Sequence, residues 1–466
     1  MLTSRTDKLT KGLVFLGVIS FLPTLFFYLV GEEGIYVITS MEMWHQHNWL
    51  QQIMYGADNH RPPLVNWLIM PVANLIGWQH VVIAARLVSI AAAIGMIGWL
   101  YWLSKKLFLD KSFAMFAALA CLSMVDLLFY RGWLAYTDPV FAFFTFGAMA
   151  TLWVAFIERH RGWLFISVLL VSCALLAKAF TAYIFYGSVV LVLLLNKRHR
   201  SFFLSPAGLL IFALAVIMPV IWFTSIQQLG GHSSTMFDEM ARKLSAHDLA
   251  SYIQRLITYP IEIAARLSPV TLLALYLIFR KRSLAPEAAP DHLWAAIVIT
   301  AACIFPYWLA PQGGIRYLLP TFPLVAMICA RLIWRAGGAA HKLALRWFAA
   351  VILLKFIFAL ILFPYYQSHY RGENYANAGK DIMQLTQGHP LYITDVSSPG
   401  LSVAGFIDAQ RYPLPPIVFP PSMWHSGFVI SRTNDSAMGR LVKQYRLAAD
   451  DLFVLCRGEA CTVSNQ

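Results

Sequence analysis

Long apolar runs separated by short basic or aromatic-polar segments set the pattern of this chain. The runs lie at 12–30, 80–103, 113–130, 140–157, 163–177, 180–195, 207–224, 261–279, 293–309, 320–334 and 344–364. Their lengths are near the roughly 20 residues that an α-helix needs to cross a hydrocarbon core, so the pattern predicts a polytopic α-helical membrane protein with about eleven transmembrane helices. A β-barrel does not fit. The fifth and sixth runs are short and meet at Ala177–Phe180, as a broken or re-entrant pair would.

Composition strengthens this reading: of 466 residues 59% are hydrophobic and only 13% charged, with a mean hydropathy of +0.62. A soluble domain of that length would carry more surface charge. The net charge of +13 could point to nucleic acid, but the distribution of basic residues decides for topology. Arg5, Lys8 and Lys11 precede the first run, and later clusters are Lys105/Lys106/Lys111, Arg159/Arg161, Lys197/Arg198/Arg200, Arg280/Lys281/Arg282 and Arg331/Arg335/Lys342/Arg346. They fall between alternate apolar runs, which places the N-terminus in the cytoplasm and everything from Tyr365 onward outside. Merging the fifth and sixth runs would move the later clusters to the wrong side. The first run, Gly12 to Val30, reads as an uncleaved helix, because it exceeds a signal core and Gly31–Glu32–Glu33 offers no small-x-small cleavage pattern.

The first exterior segment, Gly31 to about Gln79, is too long for a plain connector. Tyr36, Ile38, Met41, Met43, Trp44 and Trp49 are spaced for an interfacial helix, and Trp67, Leu68, Ile69 and Val72 suggest a second. Between them Pro62–Pro63 force an extended turn that gives Arg61 a defined direction. The chain thus divides into a transmembrane domain over 1–364 and a small exterior α/β domain over 365–466. In the latter, Leu391–Asp395, Phe428–Arg432 and Leu452–Cys456 read as strands and Ser436–Tyr445 as a helix. Pro413–Pro421 must be extended and cannot be central sheet. This domain shows no catalytic constellation and is assigned to substrate access or cover. Cys121, Cys173, Cys303 and Cys329 read as small buried hydrophobes, whereas Cys456 and Cys461 in the tail are either free or paired, pairing being open to them in an oxidising compartment.

Chemistry is suggested first by Glu32 and Glu33, adjacent carboxylates directly after the first apolar run. They are either solvated acids at the membrane edge or part of a site. The second exterior loop, RGWLAYTDP, also carries an acid and a base, Asp138 and Arg131. Two loops that each present a carboxylate and an arginine could converge on one polar cavity.

Six short elements then follow one another in order. Glu32-Glu33-Gly34-Ile35-Tyr36 has the form acid-acid-x-x-Tyr. After it come Arg61-Pro62-Pro63-Leu64, Arg86-Leu87-Val88-Ser89, Thr137-Asp138-Pro139, Leu176-Ala177-Lys178 and the RYLLP stretch from Arg316 to Pro320. This series, over residues 1 to about 335, resembles the C-type membrane glycosyltransferases related to lipid A aminoarabinose transferases and protein O-mannosyltransferases. The chain departs from that pattern in carrying Glu32 where Asp is more usual and Ala179 where Gly is usual. It also has Phe237-Asp238-Glu239-Met240 where relatives often carry Glu-His.

The resemblance implies an enzyme of a bacterial inner (plasma) membrane. It would move a hexosyl or pentosyl sugar from a polyprenyl-phosphate donor to lipid A, an envelope glycan or a protein, with inversion. On that reading Glu32 is the base that takes the acceptor's proton and Glu33 its neighbour, while Asp138 orients the acceptor or holds Arg131. Arg61, Lys178, Arg316 and Tyr317 meet the donor phosphate as charge develops on it, with Tyr36, Arg131 and Arg86 in support. Lys178 lies between two apolar runs, where an unpaired ammonium costs about 2.5–3.5 kcal/mol on insertion scales unless it snorkels to the interface. Arg86 and Arg266, inside predicted spans, are expected to pair with Asp126 or Glu262 or to face the cavity. No cofactor is called for with certainty. A divalent cation is left open, although His45, His47, His60 and His232 match no ligand template and no metal site is assigned. The partners are the lipid-linked donor and an envelope acceptor, with no nucleic acid, and the protein is expected to be a monomer. A transporter or flippase of lipid-linked sugars is the rival class, but no internal repeat is visible and the notable charges cluster in loops. A polysaccharide polymerase or ligase would share the donor and differ in acceptor, and the His-centred motif of an O-acyltransferase is missing.

Overall fold

A computed structural model describes residues 2–59, 61–178, 180–228, 249–447 and 449–463. In chain order the helices are α1 (Leu2–Ile19), α2 (Glu33–His45), α3 (Leu64–Ile76), α4 (Val81–Phe108), α5 (Lys111–Leu122), α6 (Thr137–Glu158), α7 (Arg161–Ala177), α8 (Ala182–Leu194), α9 (Lys197–Phe203) and α10 (Pro206–Gln228). They continue as α11 (Leu249–Arg266), α12 (Val270–Phe279), α13 (Pro290–Leu309), α14 (Phe322–Arg335), α15 (Gly338–Ile357), α16 (Phe363–His369), α17 (Gly372–Leu385), α18 (Ser398–Arg411) and α19 (Ala460–Val463). The strands are β1 (Ile53–Met54), β2 (Ala57–Asp58), β3 (Leu391–Ile393), β4 (Gly427–Ser431), β5 (Arg440–Leu447) and β6 (Asp450–Arg457).

Among the described residues, seven helical segments are long and apolar enough to cross a membrane, and the chain is a multi-pass membrane protein. The seven are Thr6–Phe26, Trp78–Phe108, Thr137–Glu158, Pro206–Ser225, Pro290–Leu309, Ile315–Arg335 and Gly338–His369. An eighth is counted if α11 and α12, bent by 108° at the break before Val270, form one span. Seven or eight of the expected eleven spans thus reach full length among the described residues, and every predicted run contains helix. Run 113–130 stops as α-helix at Leu122 and continues as a π-helical turn, Asp126–Arg131, because a buried charged pair replaces apolar sequence there. Runs 163–177 and 180–195 form the short helices α7 and α8. Run 261–279 is broken where Pro269 supplies no amide donor at the start of α12.

The chain forms two compact units. The first comprises Met1–Leu22, Ser89–Trp133 and Thr137–Phe356, and the second Pro23–Val88, Leu134–Tyr136 and Ile357–Gln466. In the first, α6 is buried along most of its length by α7, α8 and the 3-10 segment Ile315–Thr321, with Trp99 of α4 against its Phe143. Small residues on α6 let its neighbours approach closely: a side-chain carbon at Gly147 would lie 2.7 Å from Trp99 Nε1 of α4. Elsewhere in this unit Glu287 accepts from Arg331 at 2.7 Å and lies 3.6 Å from Arg335, which offsets part of that basic cluster.

In the second unit α2 lies against α18 so tightly that a Cβ at Gly34 would sit 2.4 Å from the Leu401 carbonyl oxygen. Glu42 of α2 accepts from the amides of Tyr55 and Gly56, the latter at 2.8 Å, and so holds the β1–β2 hairpin. The four-stranded sheet has the order β3-β4-β6-β5, with β3 and β4 parallel and the other pairs antiparallel. The three expected strands are present. The helix expected at Ser436–Tyr445 is instead strand β5, whose exposed Arg440, Lys443 and Arg446 suit a sheet edge. A bulge between Leu441 and Lys443 interrupts the alternation that would have marked it as a strand. Val418, within the extended Pro413–Pro421 stretch, bridges to Tyr392 at the opposite edge. Cys456 and Cys461 form a disulfide, and Cys121 and Cys303 are buried in helices.

Glu42, Tyr55, Asp395 and Asp408 are all buried in this second unit. Burial pushes the Glu42 carboxyl up to about 7 and that of Asp408 up to about 8, against ordinary values of 4.5 and 3.8. The folded state therefore holds extra protons through neutral pH. Their stabilisation is complete below the unfolded values and is lost as pH rises through about 7 and about 8. The thermal midpoint, followed by tryptophan fluorescence in detergent, is expected to fall by several degrees between about pH 5.5 and about pH 9, and Asp408→Asn to remove roughly half of that slope.

Candidate active site

In the second unit the centre is Arg86, a fully buried guanidinium on α4. A guanidinium has five N–H donors, and all five are used. Nε donates to Glu33 Oε1 at 2.9 Å and Nη2 to Glu33 Oε2 at 2.5 Å. The remaining N–H groups reach the carbonyl oxygens of Thr24 (3.1 Å), Phe27 (2.5 Å) and Tyr28 (2.9 Å). Glu33 is also fully buried, and it accepts in addition from the amides of Val30 (2.8 Å) and Ala135 (2.9 Å). The expectation that Arg86 pairs with Asp126 or Glu262 is corrected: its partner is Glu33. Glu33, expected as the second catalytic acid, has its oxygens committed to four donors and serves as a structural anchor. A cation inside an apolar run demands a carboxylate, and the Glu32–Glu33 pair was the sequence signal for it.

That anchor places Glu32. Its own amide donates to the Tyr136 hydroxyl at 3.1 Å, and Gly31 just before it has φ +59, with Tyr136 Oη where a Cβ would be, at 2.5 Å. Only glycine fits there. Glu32 is solvent-exposed at the start of α2, whereas Glu33 one residue on points inward. Tyr36, one turn further, is buried and its hydroxyl accepts from Arg61 Nη1 at 3.1 Å. Tyr136 was not singled out from the sequence, where it is one aromatic among many.

The first unit gathers the other candidates. Asp138 stands in the first turn of α6, where Pro139 costs no hydrogen bond, and it is buried. Lys178 ends α7, a position where a cation meets free carbonyls favourably, and its ammonium donates to Asp138 Oδ1. Arg131 donates to Asp138 Oδ2 at 3.3 Å, and its Nε lies 3.8 Å from Asp126 Oδ2 across the wide π-helical turn. Asp126 in turn accepts from Arg266 at 2.9 Å, and Arg266 also donates to Glu262 at 2.8 Å, as expected for Arg266. An alternating chain of charge thus runs Glu262, Arg266, Asp126, Arg131, Asp138, Lys178. Beside it, Lys178 Nζ lies 4.7 Å from the Tyr317 ring centroid. Arg316 covers the same ring at 5.1 Å and donates to the Tyr317 hydroxyl at 3.1 Å. Around Asp138 four cations meet three carboxylates, which leaves this group with an excess of positive charge in half-buried surroundings.

The sequence-derived candidates therefore fall into two sets: Glu32, Glu33, Tyr36, Arg61 and Arg86 in one unit, and Arg131, Asp138, Lys178, Arg316 and Tyr317 in the other. Residues 134–136 of the RGWLAYTDP loop belong to the first set's unit, while Asp138 opens α6 in the other. Exposed His45 and His47 join no group of three or more metal-ligating side chains among the described residues. His60, Ala179, His232 and Phe237–Met240 lie outside the described residues.

This helical membrane fold, with a small sheet toward its C-terminal end, has counterparts among solved structures. Residues 60–223 match the family model described as dolichyl-phosphate-mannose-protein mannosyltransferase. The chain is similar in structure to ArnT from Cupriavidus metallidurans bound to undecaprenyl phosphate, with a TM-score of 0.71, 15% identity and 98% of each chain covered. Against the apo state of the same protein the TM-score is 0.69 and the identity 16%, over 95% of this chain and 97% of that one. The archaeal oligosaccharyltransferase AglB from Archaeoglobus fulgidus, in complex with an inhibitory peptide and a dolichol-phosphate, matches with a TM-score of 0.50 and 12% identity, over 91% of this chain and 69% of that one. No curated protein matches the sequence.

Removing one partner of a fully buried ion pair leaves the other charge uncompensated, at a cost of about 3–5 kcal/mol. Glu33→Gln and Arg86→Met are each expected to lower the thermal midpoint of the purified protein and its yield, and the double change Glu33→Met/Arg86→Met to recover part of the loss. A Glu33→Gln protein that melts like wild type would remove Glu33 from the structural role.

Proposed function

We propose that this protein is a glycosyltransferase that moves a sugar from a polyprenyl-phosphate donor to an acceptor at the exterior face of a bacterial inner membrane, with its N-terminus in the cytoplasm. The observation that carries the reading is the cation-rich cluster of Lys178, Arg131 and Arg316 about Asp138 and Tyr317, set at the ends of apolar helices. A lipid phosphate anchored in the bilayer presents its charge at that depth, and fixed cations there are already oriented when the leaving group gains charge. The similarity to a protein bound to undecaprenyl phosphate and to one bound to a dolichol-phosphate supports the same class of donor.

In the step itself, an acceptor hydroxyl oxygen attacks the anomeric carbon as the bond from that carbon to the phosphate oxygen breaks. The electron pair of that bond stays on the phosphate, where Lys178 and Arg316 meet it. The hydroxyl proton passes to Glu32, whose exposed carboxylate is held at the start of α2 by its buried neighbour. A single displacement inverts the anomeric centre. Asp138 keeps Lys178 and Arg131 in place, and Arg61, which donates to Tyr36, is a further candidate for the donor phosphate. The sugar is hexosyl or pentosyl, and the acceptor a lipid, glycan or protein of the envelope.

Mass spectrometry of envelope lipids and glycans from cells with and without the protein is expected to differ by the mass of one sugar on one acceptor. Glu32→Gln should abolish that difference, a loss of at least about a hundredfold in rate, while the purified variant still binds undecaprenyl phosphate. Lys178→Ala should instead weaken that binding by about tenfold. A labelled sugar lipid that equilibrates across vesicles without forming a covalent product would favour a flippase.

A further inference from the structure

Arg255 was not marked by any sequence motif, and it stands on α11, apart from the charged group around Asp138. Its guanidinium donates to the carbonyl oxygens of Pro311 and Gly313 and, at 3.3 Å, to that of Tyr307. These carbonyls line the end of α13 and the turn after it. That turn leads directly into the 3-10 segment Ile315–Thr321, which carries Arg316 and Tyr317. Two further bonds fasten the same helix to the same region: the Tyr252 hydroxyl donates to the Leu309 carbonyl at 2.9 Å, and Trp308 Nε1 to that of Leu256 at 2.8 Å.

The fit at the turn is close on both sides. A Cβ at Gly313 would stand 3.0 Å from Arg255 Nη2 and 2.6 Å from the Tyr307 carbonyl oxygen, so any side chain there would push the guanidinium off its acceptors. Tyr259, one turn along α11, lies under the guanidinium at 5.0 Å from ring centroid to Cζ and limits its other movements. On the opposite face of α11, Leu249, Ile253, Ile257 and Ile261 recur at four-residue spacing and are all exposed. Such a stripe suits a helix lying in the membrane interface, as does the 108° bend to apolar α12. A planar fork of donors can hold three carbonyls of a turn in one geometry, which an ammonium cannot reproduce.

We propose that Arg255 is a positioning residue for the donor phosphate: by clamping the Pro311–Gly313 turn it sets the place of Arg316 and Tyr317. It touches no substrate and acts only through that segment. The role rests on the reading of Arg316 as a phosphate ligand. A displacement of Arg316 by a fraction of an ångström then suffices to weaken binding.

The test is a double-mutant cycle on the full-length protein in nanodiscs, with undecaprenyl phosphate as the probe and equilibrium affinity as the readout. Arg255→Ala is expected to weaken binding by about tenfold, Arg255→Lys by at least about threefold because its ammonium cannot form the same fork, and Gly313→Ala to weaken it from the other side of the clamp. In an Arg316→Ala background, Arg255→Ala should add less than about twofold, because its effect passes through Arg316. An equal loss in both backgrounds, or weakened binding in Arg316→Ala with none in Arg255→Ala and Gly313→Ala, would overturn the positioning role alone. Unchanged binding in Arg316→Ala would sink the phosphate reading and the positioning role together. Should Arg255→Ala fail to fold, Arg255→Lys and Gly313→Ala carry the same comparison.

Discussion

A guanidinium sealed from water must spend every donor on protein, and Arg86 does so. Glu33 and three backbone carbonyls surround it, and through them the chain after the first apolar segment, the start of α2, the second long helix and the loop at 134–136 are locked to one another. A buried ion pair is not in itself a large source of stability, since desolvating both charges costs about what their attraction returns. Its value is specificity. Any other register of these segments would strand a charge in an apolar interior, so a single arrangement is strongly preferred over its neighbours.

The same constraint, in a looser form, organises the membrane unit. Asp138, Asp126 and Glu262 alternate with Lys178, Arg131 and Arg266, and every charge except Glu262, whose partner Arg266 is on its own helix, has a partner of opposite sign from a different helix or turn. Because the chain of pairs ends on α11, the helix that also bears Arg255, that one element is fastened to both halves of the cationic group: to Lys178 through the carboxylates and to Arg316 through the 311–313 turn. Cations held close together repel one another, and such fastening keeps Lys178, Arg131 and Arg316 from drifting apart until water screens them.

Apolar periodicity made the helical membrane class, the positions of its runs and three of the four strands of the tail sheet readable from residues alone. What it could not convey was where a run would be cut. Pro269 and the Asp126–Arg131 turn lie inside stretches whose average composition is apolar, and the breaks come from one missing amide and one buried pair rather than from composition. Strand β5 was hidden for a related reason. Its bulge and its charged edge residues imitate a solvated helix, and only pairing with β6 identifies it. The candidate residues were legible as types and in order, because charge next to apolar sequence is conspicuous. Their partners were not: Arg86 has several acids within plausible reach of a span, and Tyr136 and Arg255 act through a hydroxyl and through carbonyls, for which sequence carries no sign.

Glu32 and Glu33 show what the sequence could not separate. Two adjacent acids at the start of a helix point about 100° apart, and here Glu33 is buried while Glu32 is exposed. Glu33, saturated by four donors, has no lone pair to offer a proton. Glu32, with its backbone tied to Tyr136 and preceded by a glycine that no other residue can replace, has a fixed root and an exposed carboxylate. The geometry thus separates the two acids: a saturated, buried Glu33 fixes the backbone from which the exposed Glu32 extends. It also gives meaning to Glu rather than Asp at position 32. With the backbone pinned, the extra methylene of a glutamate carries the carboxylate farther from the start of α2 than an aspartate would reach.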